Sequence, residues 1–398
     1  MNRLELTGLT VRPAQVWGGI RLVPLVREEP VAGLRLHQEI YRGLGSSVVD
    51  TGPRTHYTSY IPHGLVADWS GLRTEPGGAG TGRQSAAYGT QLGTGDNSDP
   101  GAGARPPVTA PLPRHRHRHH RMAERQPGDR LRFLPLHLAL EGYLSLHFGG
   151  PAIAWEEWSR QALRDGLSPR AEDAYMGWSV RGLGDALRVF EIHPGQCGVM
   201  VYAADALAAA FVLPHPDDYR LLHASLVEDL YGELIHQYAL YGGPVPEFGA
   251  RIPDGARVRT LADLRAGARA QEREWREAHD ALFARELLDT SYAFDRVHRM
   301  GPFTLWRFLP PFTRNRGGRH IGETITDHKG QVAYLKTFRL SEAQVRRGHL
   351  LHTLSDADWR LARAAAALGS TEEELVRRIR AAGFEGLLKA RVQRRKPR

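Results

Sequence analysis

Two stretches of the chain bring together side chains that could do chemistry. The first, Glu191-Ile-His193-Pro-Gly-Gln196-Cys197-Gly198, sets a carboxylate, an imidazole, an amide and a thiol at a tight turn. Turns held by a rigid scaffold are common places for binding groups. A Cys197–His193 nucleophile pair would require contact between the two and an exposed thiol. Cys197 instead leads into the apolar run Gly198-Val-Met-Val-Tyr202, so a buried, inert thiol is expected, with Glu191, His193 and Gln196 as ligand contacts. The second stretch carries Arg307, His320, Glu323, Asp327 and Lys336 on or beside a group of strands. A carboxylate, an imidazole and two cations could bind a phosphorylated nucleotide or perform acid–base chemistry, provided strand alternation leaves them on one face.

A third signal, His115-Arg-His-Arg-His-His120, carries imidazoles that suit zinc, nickel or copper. The interleaved arginines repel a dication and the segment has no defined geometry, so it reads as a solvated low-complexity tract and no metal site is assigned. The sequence contains no Walker loop, no dinucleotide-binding glycine fingerprint and no zinc-protease helix motif. No catalytic residue and no cofactor can be named from these motifs.

The elements that must position these groups alternate between strands and helices. Residues 1–69 read as strand-rich, with Val11 to Arg12, Ile20 to Val26 and Tyr57 to Pro62 as short β-branched or apolar runs punctuated by proline and glycine. Residues 70–126 are rich in Gly, Ser, Pro and Thr and read as a disordered insertion, because burial cannot offset the entropy of ordering them. Residues 127–340 form an α+β body. Ala186 to Ile192, Gly198 to Ala203 and Ala206 to Leu213 read as a three-stranded meander, and Ser225-Leu-Val-Glu228 reads as a capping box. Thr260-Leu-Ala-Asp263 opens a long helix to about Leu288, and four strands follow: Tyr292 to Arg299, Thr304 to Leu309, Ile321 to Thr326 and Gln331 to Phe338. Residues 341–398 form a helical module with helices expected after Ser341, Ser355 and Ser370. The expected class is α+β, with antiparallel strand groups, packed helices and a small helical C-terminal module.

Charge is unevenly distributed. Of a net +9, the segment Val376 to Arg398 carries +8 and Arg105 to Arg132 carries +6, which leaves −5 on the remainder. The single cysteine excludes an internal disulfide, and no stretch approaches the ~18–20 apolar residues of a membrane span. With no basic-then-apolar leader at the N-terminus, a cytoplasmic protein without membrane attachment is expected.

The C-terminal spacing is the most specific. Ala364 to Ala367, Leu368-Gly369, Leu375, Ile379 and Gly383-Phe384 fit a helix, a tight turn and a second helix. This resembles the helix-turn-helix of the Fis family, which implies DNA binding through Arg377, Arg378, Arg380 and Lys389. Glu372-Glu373-Glu374 departs from that pattern by setting three carboxylates where a recognition helix meets DNA.

Five runs carry a wider resemblance: Arg12 to Leu25, Tyr57-Thr-Ser-Tyr-Ile-Pro-His63, Leu136-His-Leu-Ala-Leu-Glu-Gly-Tyr143, Phe190 to Gly198 and His320-Ile-Gly-Glu-Thr-Ile-Thr-Asp-His328. Together they resemble the ADP-ribosylglycohydrolase and rhodanese-phosphatase-associated protein family, second group, over nearly the whole chain except about Pro76 to Arg114. The resemblance implies an accessory role near ADP-ribose and NAD processing, through an ADP-ribose-like ligand held by the Glu191–Gln196 turn or by the second strand group. Two other classes are open at this point: a DNA-binding regulator, and an enzyme acting on ADP-ribosyl or phosphate substrates.

The basic tail yields a first prediction. Nonspecific nucleic-acid binding should appear at low salt and weaken steeply, with a log–log slope of roughly −0.9 per phosphate contacted on duplex DNA. Removing Lys389 to Arg398 should abolish most of it. Enrichment of a defined motif from a DNA pool near physiological salt, lost in Arg377→Ala/Arg378→Ala, would instead establish sequence-specific reading.

Overall fold

A computed structural model describes residues 2–32, 34–36, 182–249, 251, 258–312, 318–382, 384 and 388, together with the backbones of five short strands between residues 48 and 133. In chain order the strands are β1 (Thr10–Val11), β2 (Gln15–Trp17), β3 (Ile20–Val26), β4 (Arg35–Leu36), β5 (Val48–Gly52), β6 (Thr55–Thr58), β7 (Val66–Asp68), β8 (Ala86–Tyr88), β9 (Leu131–Phe133), β10 (Gln196–Ala203), β11 (Ala206–Val212), β12 (Ala293–Met300), β13 (Phe303–Leu309), β14 (His320–Thr326) and β15 (Val332–Arg339). The helices are α1 (Leu183–Ala186), α2 (Pro216–Ser225), α3 (Gly232–Leu240), α4 (Leu261–Ala278), α5 (Arg285–Leu288), α6 (Glu342–Asp356), α7 (Leu361–Ala367) and α8 (Glu372–Ala381).

One nine-stranded antiparallel sheet organises the molecule, in the order β1-β3-β10-β11-β15-β14-β13-β12, with β2 also on β3. The class is therefore α+β, as the alternation of strands and helices implied. The four strands β12 to β15 fall where their apolar alternation set them, and Gly330 takes a positive φ of 79° in the β14–β15 turn. The sheet draws β3 from the N-terminal segment onto β10, so it spans the strand-rich start and the α+β body. Two further three-stranded sheets, β4-β5-β6 and β8-β7-β9, involve the short strands between residues 35 and 133. Of the segment 70–126, read from sequence as disordered, only β8 is described.

Both faces of the sheet are covered. One bears Ile20, Val201, Phe211, Leu305, Ile325 and Phe338, packed under α2, α3 and the C-terminal helices α6 to α8. The opposite face bears Val23, Met200, Tyr202, Phe308 and Leu335 under α4 and α5. Strands of such a sheet are buried on both sides, and β14 has no exposed position at all. The C-terminal helices share one core with the sheet through Val345, Leu351, Leu354, Ala364, Leu375 and Ile379.

The two-residue hairpin Ala204-Asp205 joins β10 to β11 with φ values of 46° and 62°. Such turns favour Asn-Gly, since a side chain at positive φ costs about 1–2 kcal/mol. Here Arg21 on β3 donates from Nη2 to Asp205 Oδ1 at 2.8 Å and fixes the strained residue.

Several local expectations are corrected. Ala186 to Ile192 is not a strand; it begins at the end of α1 and continues as a 3-10 turn, Leu187–Val189, whose Leu187 and Phe190 join the core. Ser225 ends α2 instead of opening a helix, because His215 caps ten residues earlier and Pro216 is pre-set for the first turn. Ser355 lies inside α6, since the apolar period continues through Leu351 and Leu354 until Asp358 and Trp359 turn to positive φ. Thr371, not Ser370, caps α8, for it is Thr371 Oγ1 that reaches Glu374 N. Ser341 and Thr260 cap their helices as read, each with a reciprocal box.

Gly322 on β14 is where the sheet leaves no room. A Cβ there would collide with the Lys336 carbonyl of β15 and lie 2.7 Å from Phe308 Cζ. Gly322→Ala should therefore destabilise by about 1–3 kcal/mol, read by urea unfolding, as overpacking of a closed core does. An unchanged midpoint would show that β14 can move away from β15.

Candidate functional site

A row of charged residues crosses the sheet from its edge into its core. Asp295 on β12 lies opposite Arg307 on β13, Arg307 opposite Glu323 on β14, Glu323 opposite Lys336 on β15, and Lys336 opposite Phe211 on β11. Directly opposed residues of antiparallel strands project to the same face, and this is the face under α2, α3 and α6 to α8. Burial deepens along the row: Asp295 is exposed, Arg307 half-buried, Glu323 2% exposed and Lys336 1% exposed. The Lys336 ammonium lies 5.0 Å from the centroid of the Phe211 ring, a cation–π arrangement.

Electrostatics sets this row apart from a routine ion pair. Burial pushes the Glu323 carboxyl up to about 8, with Arg307 and Lys336 pulling it back. Burial pushes the Lys336 amine down to about 7, with Glu323 opposing. Burial thus works against the charge on both members of the pair, while each partner opposes the other's shift. The row holds two carboxylates and two cationic side chains in alternation, with Arg307 between Asp295 and Glu323. Glu323 Oε2 and Arg307 Nε are both buried without a hydrogen-bond partner among the described residues. Buried polar atoms are seldom left so, and each such atom is a position where a ligand could bond.

His320 belongs elsewhere. Three residues from Glu323, it projects to the opposite face, with Nδ1 3.4 Å from Thr337 Oγ1 and Nε2 unbonded among the described residues. Burial, helped by Arg339, holds it neutral with a pKa near 3. Asp327 builds the β14–β15 turn by accepting from the backbone N–H groups of Lys329 and Gln331. The strand group therefore brings together Arg307, Glu323 and Lys336 and leaves out His320 and Asp327.

The Glu191–Gln196 turn is bonded internally. Gln196 Oε1 accepts from His193 N, while its amide donates to the Gly198 carbonyl and the Tyr219 hydroxyl. Tyr219 continues the chain to His223 Nδ1 at 2.9 Å, and burial lowers that imidazole to about 4. Glu191 and Gln15 exchange two hydrogen bonds through the Glu191 backbone. Cys197 is buried, and desolvation raises its thiol pKa despite nearby Arg27.

One constellation escaped the sequence. The Tyr202 hydroxyl lies 2.8 Å from His279 Nε2, and His279 Nδ1 lies 2.9 Å from Asp280 Oδ1. Trp275 stacks on the imidazole at 5.2 Å, and Arg21 sits 5.0 Å above the Phe283 ring. His279 opens a π-helical turn, His279–Phe283, which turns it toward the sheet. The pair is 77 residues apart and has no motif; only the irregular helix, invisible to periodicity, marks it. With Tyr202 and His279 both buried, the triad fastens helix to sheet on the face opposite the charged row.

On α8, Arg377 and Arg378 both pair with Glu374 of their own helix, and Lys389 lies outside the described residues. Among the described residues no helix is long and apolar enough to cross a membrane.

The charged row has a stability signature with a definite sign. Glu323, raised when folded, favours the fold below its ordinary pKa near 4.5, and that contribution is lost as pH rises toward about 8. Lys336, lowered when folded, favours the fold above 10.5, and that contribution is lost as pH falls through about 7. Their sum has its minimum near pH 7–8. The double variant Glu323→Gln/Lys336→Met should thus exceed the parent in melting temperature most at pH 7–8 and less at pH 5 and 9.5, in keeping with other buried pairs replaced by uncharged groups. Parallel curves across that range would show that the pair does not titrate as described.

Neither a curated protein nor a solved structure matches the chain. A family profile, ARPP-2, matches residues 4–301, which takes in strands β1 to β12 and the Gln196 and Tyr202–His279 networks. The sheet itself runs further, since β15, beyond that match, lies between β11 and β14. With three quarters of its length covered by that profile, the chain belongs to the ARPP-2 family.

Proposed function

We propose that this protein is an accessory binding protein for a phosphorylated, ADP-ribose-like nucleotide, seated on the Arg307–Glu323–Lys336 row. One observation carries the reading. A charged row that runs into the core holds unbonded polar atoms at Arg307 Nε and Glu323 Oε2 among the described residues, and its exposure rises toward the sheet edge. A guanidinium half-exposed at the mouth of such a row suits a phosphate, which it can grip bidentately. Glu323 deeper in suits a ribose hydroxyl. Membership of the ARPP-2 family, whose name resemblance ties to ADP-ribose processing, supports the same ligand class. The row also contains an acid and an amine suited to catalysis, and turnover of an ADP-ribosyl or phosphate ester would place the protein among enzymes.

The test is thermal. ADP-ribose should raise the melting temperature, and saturation at 100 times Kd corresponds to about 2.7 kcal/mol of added stability. Arg307→Ala should weaken ADP-ribose binding roughly tenfold or more, about 1.4 kcal/mol, with little change in the unliganded melting temperature. Arg307→Lys should recover only part of it. An ADP-ribose shift that persists in Arg307→Ala would move the site away from this row, and no shift with ADP-ribose, ADP or NAD would end the nucleotide reading.

A further inference from the structure

We propose that strand β12 is a docking edge for an extended, acidic segment of a partner protein, which adds to the sheet as a further strand. This surface is separate from the nucleotide site proposed above, since it uses the edge backbone and the face opposite the charged row. The sheet ends at β12, which pairs with β13 alone. An edge strand turns alternate backbone N–H and C=O groups away from its own sheet, and these can bond one more strand. At eight residues, β12 is far longer than β1 and β2 at the opposite end, which have two and three. Ala293, Asp295, Arg296 and Arg299 along it are all exposed.

A bulge decides where the charge goes. Arg296 lies opposite Trp306 and Arg299 opposite Thr304, with Val297 the extra residue between them. Two arginines three apart on a regular strand would project to opposite faces. The bulge instead puts both on the face opposite the charged row, while Asp295, across from Arg307, projects to the row's side. Neither arginine is in an ion pair among the described residues, whereas the exposed Arg188, Arg285 and Arg363 each pair with an aspartate. Trp306 is half-buried, and its indole Nε1 donates to Thr326 Oγ1 at 3.1 Å. The two guanidiniums and the edge backbone are therefore the groups on offer.

These features select the occupant. A second copy laid antiparallel along the same edge would crowd four arginines onto one face, where like charges oppose pairing. An acidic strand meets them with complementary charge. Because Arg296 and Arg299 stand opposite positions two apart on β13, the partner's carboxylates belong two apart as well, with one residue of any kind between. The backbone bonds supply affinity, and the spacing of the carboxylates supplies specificity.

The probe is a dye-labelled peptide, Thr-Val-Glu-Val-Glu-Val-Thr, titrated with the full chain and followed by fluorescence anisotropy. It should bind roughly tenfold or more tightly than the same peptide with Lys for Glu, and tighter than one whose glutamates stand three apart. N-methylation of its amides should abolish binding. Arg296→Ala/Arg299→Ala should weaken it about three- to tenfold, as the loss of two exposed ion pairs would, and Arg296→Lys/Arg299→Lys should keep most of it. Equal binding of the N-methylated peptide overturns strand addition. Unchanged affinity in Arg296→Ala/Arg299→Ala, or no preference for the two-residue spacing, overturns the assigned face. Tighter binding of oligothymidylate through the same arginines would make the edge a nucleic-acid contact and overturn the proposal. A dimer in sedimentation velocity with no peptide binding would give the edge to a second copy, and absence of both would leave it a guarded edge; either result overturns the proposal.

Discussion

Strand β15 pairs with β11 on one side and β14 on the other, and the rest of the molecule depends on that double pairing. It joins the β3-β10-β11 group, drawn from two distant stretches of the chain, to the β12–β15 meander. A strand in that position has no edge, and with helices on both faces it has no solvent either. Any side chain it carries must be apolar, internally paired or costly. Lys336 stands in the middle of it.

The cost is tolerable because the neighbouring strands bring complementary groups. Glu323 and Arg307 arrive in register from β14 and β13, and Phe211 arrives from β11. A well-packed apolar row would hold this sheet as well or better, since replacing buried ion pairs by hydrophobic groups is often neutral or stabilising. Charge kept in such a place argues for use, because sites that bind or react are where proteins depart from the most stable arrangement. Polar groups are buried on both faces of the sheet. On the α4 side Tyr202 bonds to His279, His279 reaches the partly exposed Asp280, and Arg21 pairs with Asp205, while Arg21 Nε and His320 Nε2 are unbonded among the described residues. On the other side Glu323 and Arg307 keep atoms unbonded among the described residues.

Local order follows a similar division. The Gln196–Tyr219–His223 chain locks the turn before β10 to helix α2, so Gln196 has a structural role there. The strained Ala204-Asp205 hairpin persists because Arg21, itself buried on β3, holds Asp205 from a distance of 184 residues. In each case a side chain of catalytic type is explained by the backbone it fixes.

By itself the sequence determined the elements whose signal is local. Alternating apolar residues marked β12 to β15, Gly330 marked their turn, and the reciprocal caps at Thr260 and Ser341 marked α4 and α6. It also named Arg307, Glu323 and Lys336 as residues worth watching. It misplaced Ala186 to Ile192, where a short apolar run fits either a strand or a helical turn, and it chose the wrong caps at Ser225, Ser355 and Ser370, where several candidates stand within a few residues. Only the tertiary structure decided which side chains meet. Register across two strand pairs put Arg307, Glu323 and Lys336 in one row, while the two-residue period of the strand turned His320 to the other face. The Tyr202–His279 contact required a π-turn and a packed helix 77 residues away. Local sequence encodes period and turn chemistry, but side-chain burial, and with it the acidity of Glu323 and the basicity of Lys336, is set by what the rest of the chain lays over them.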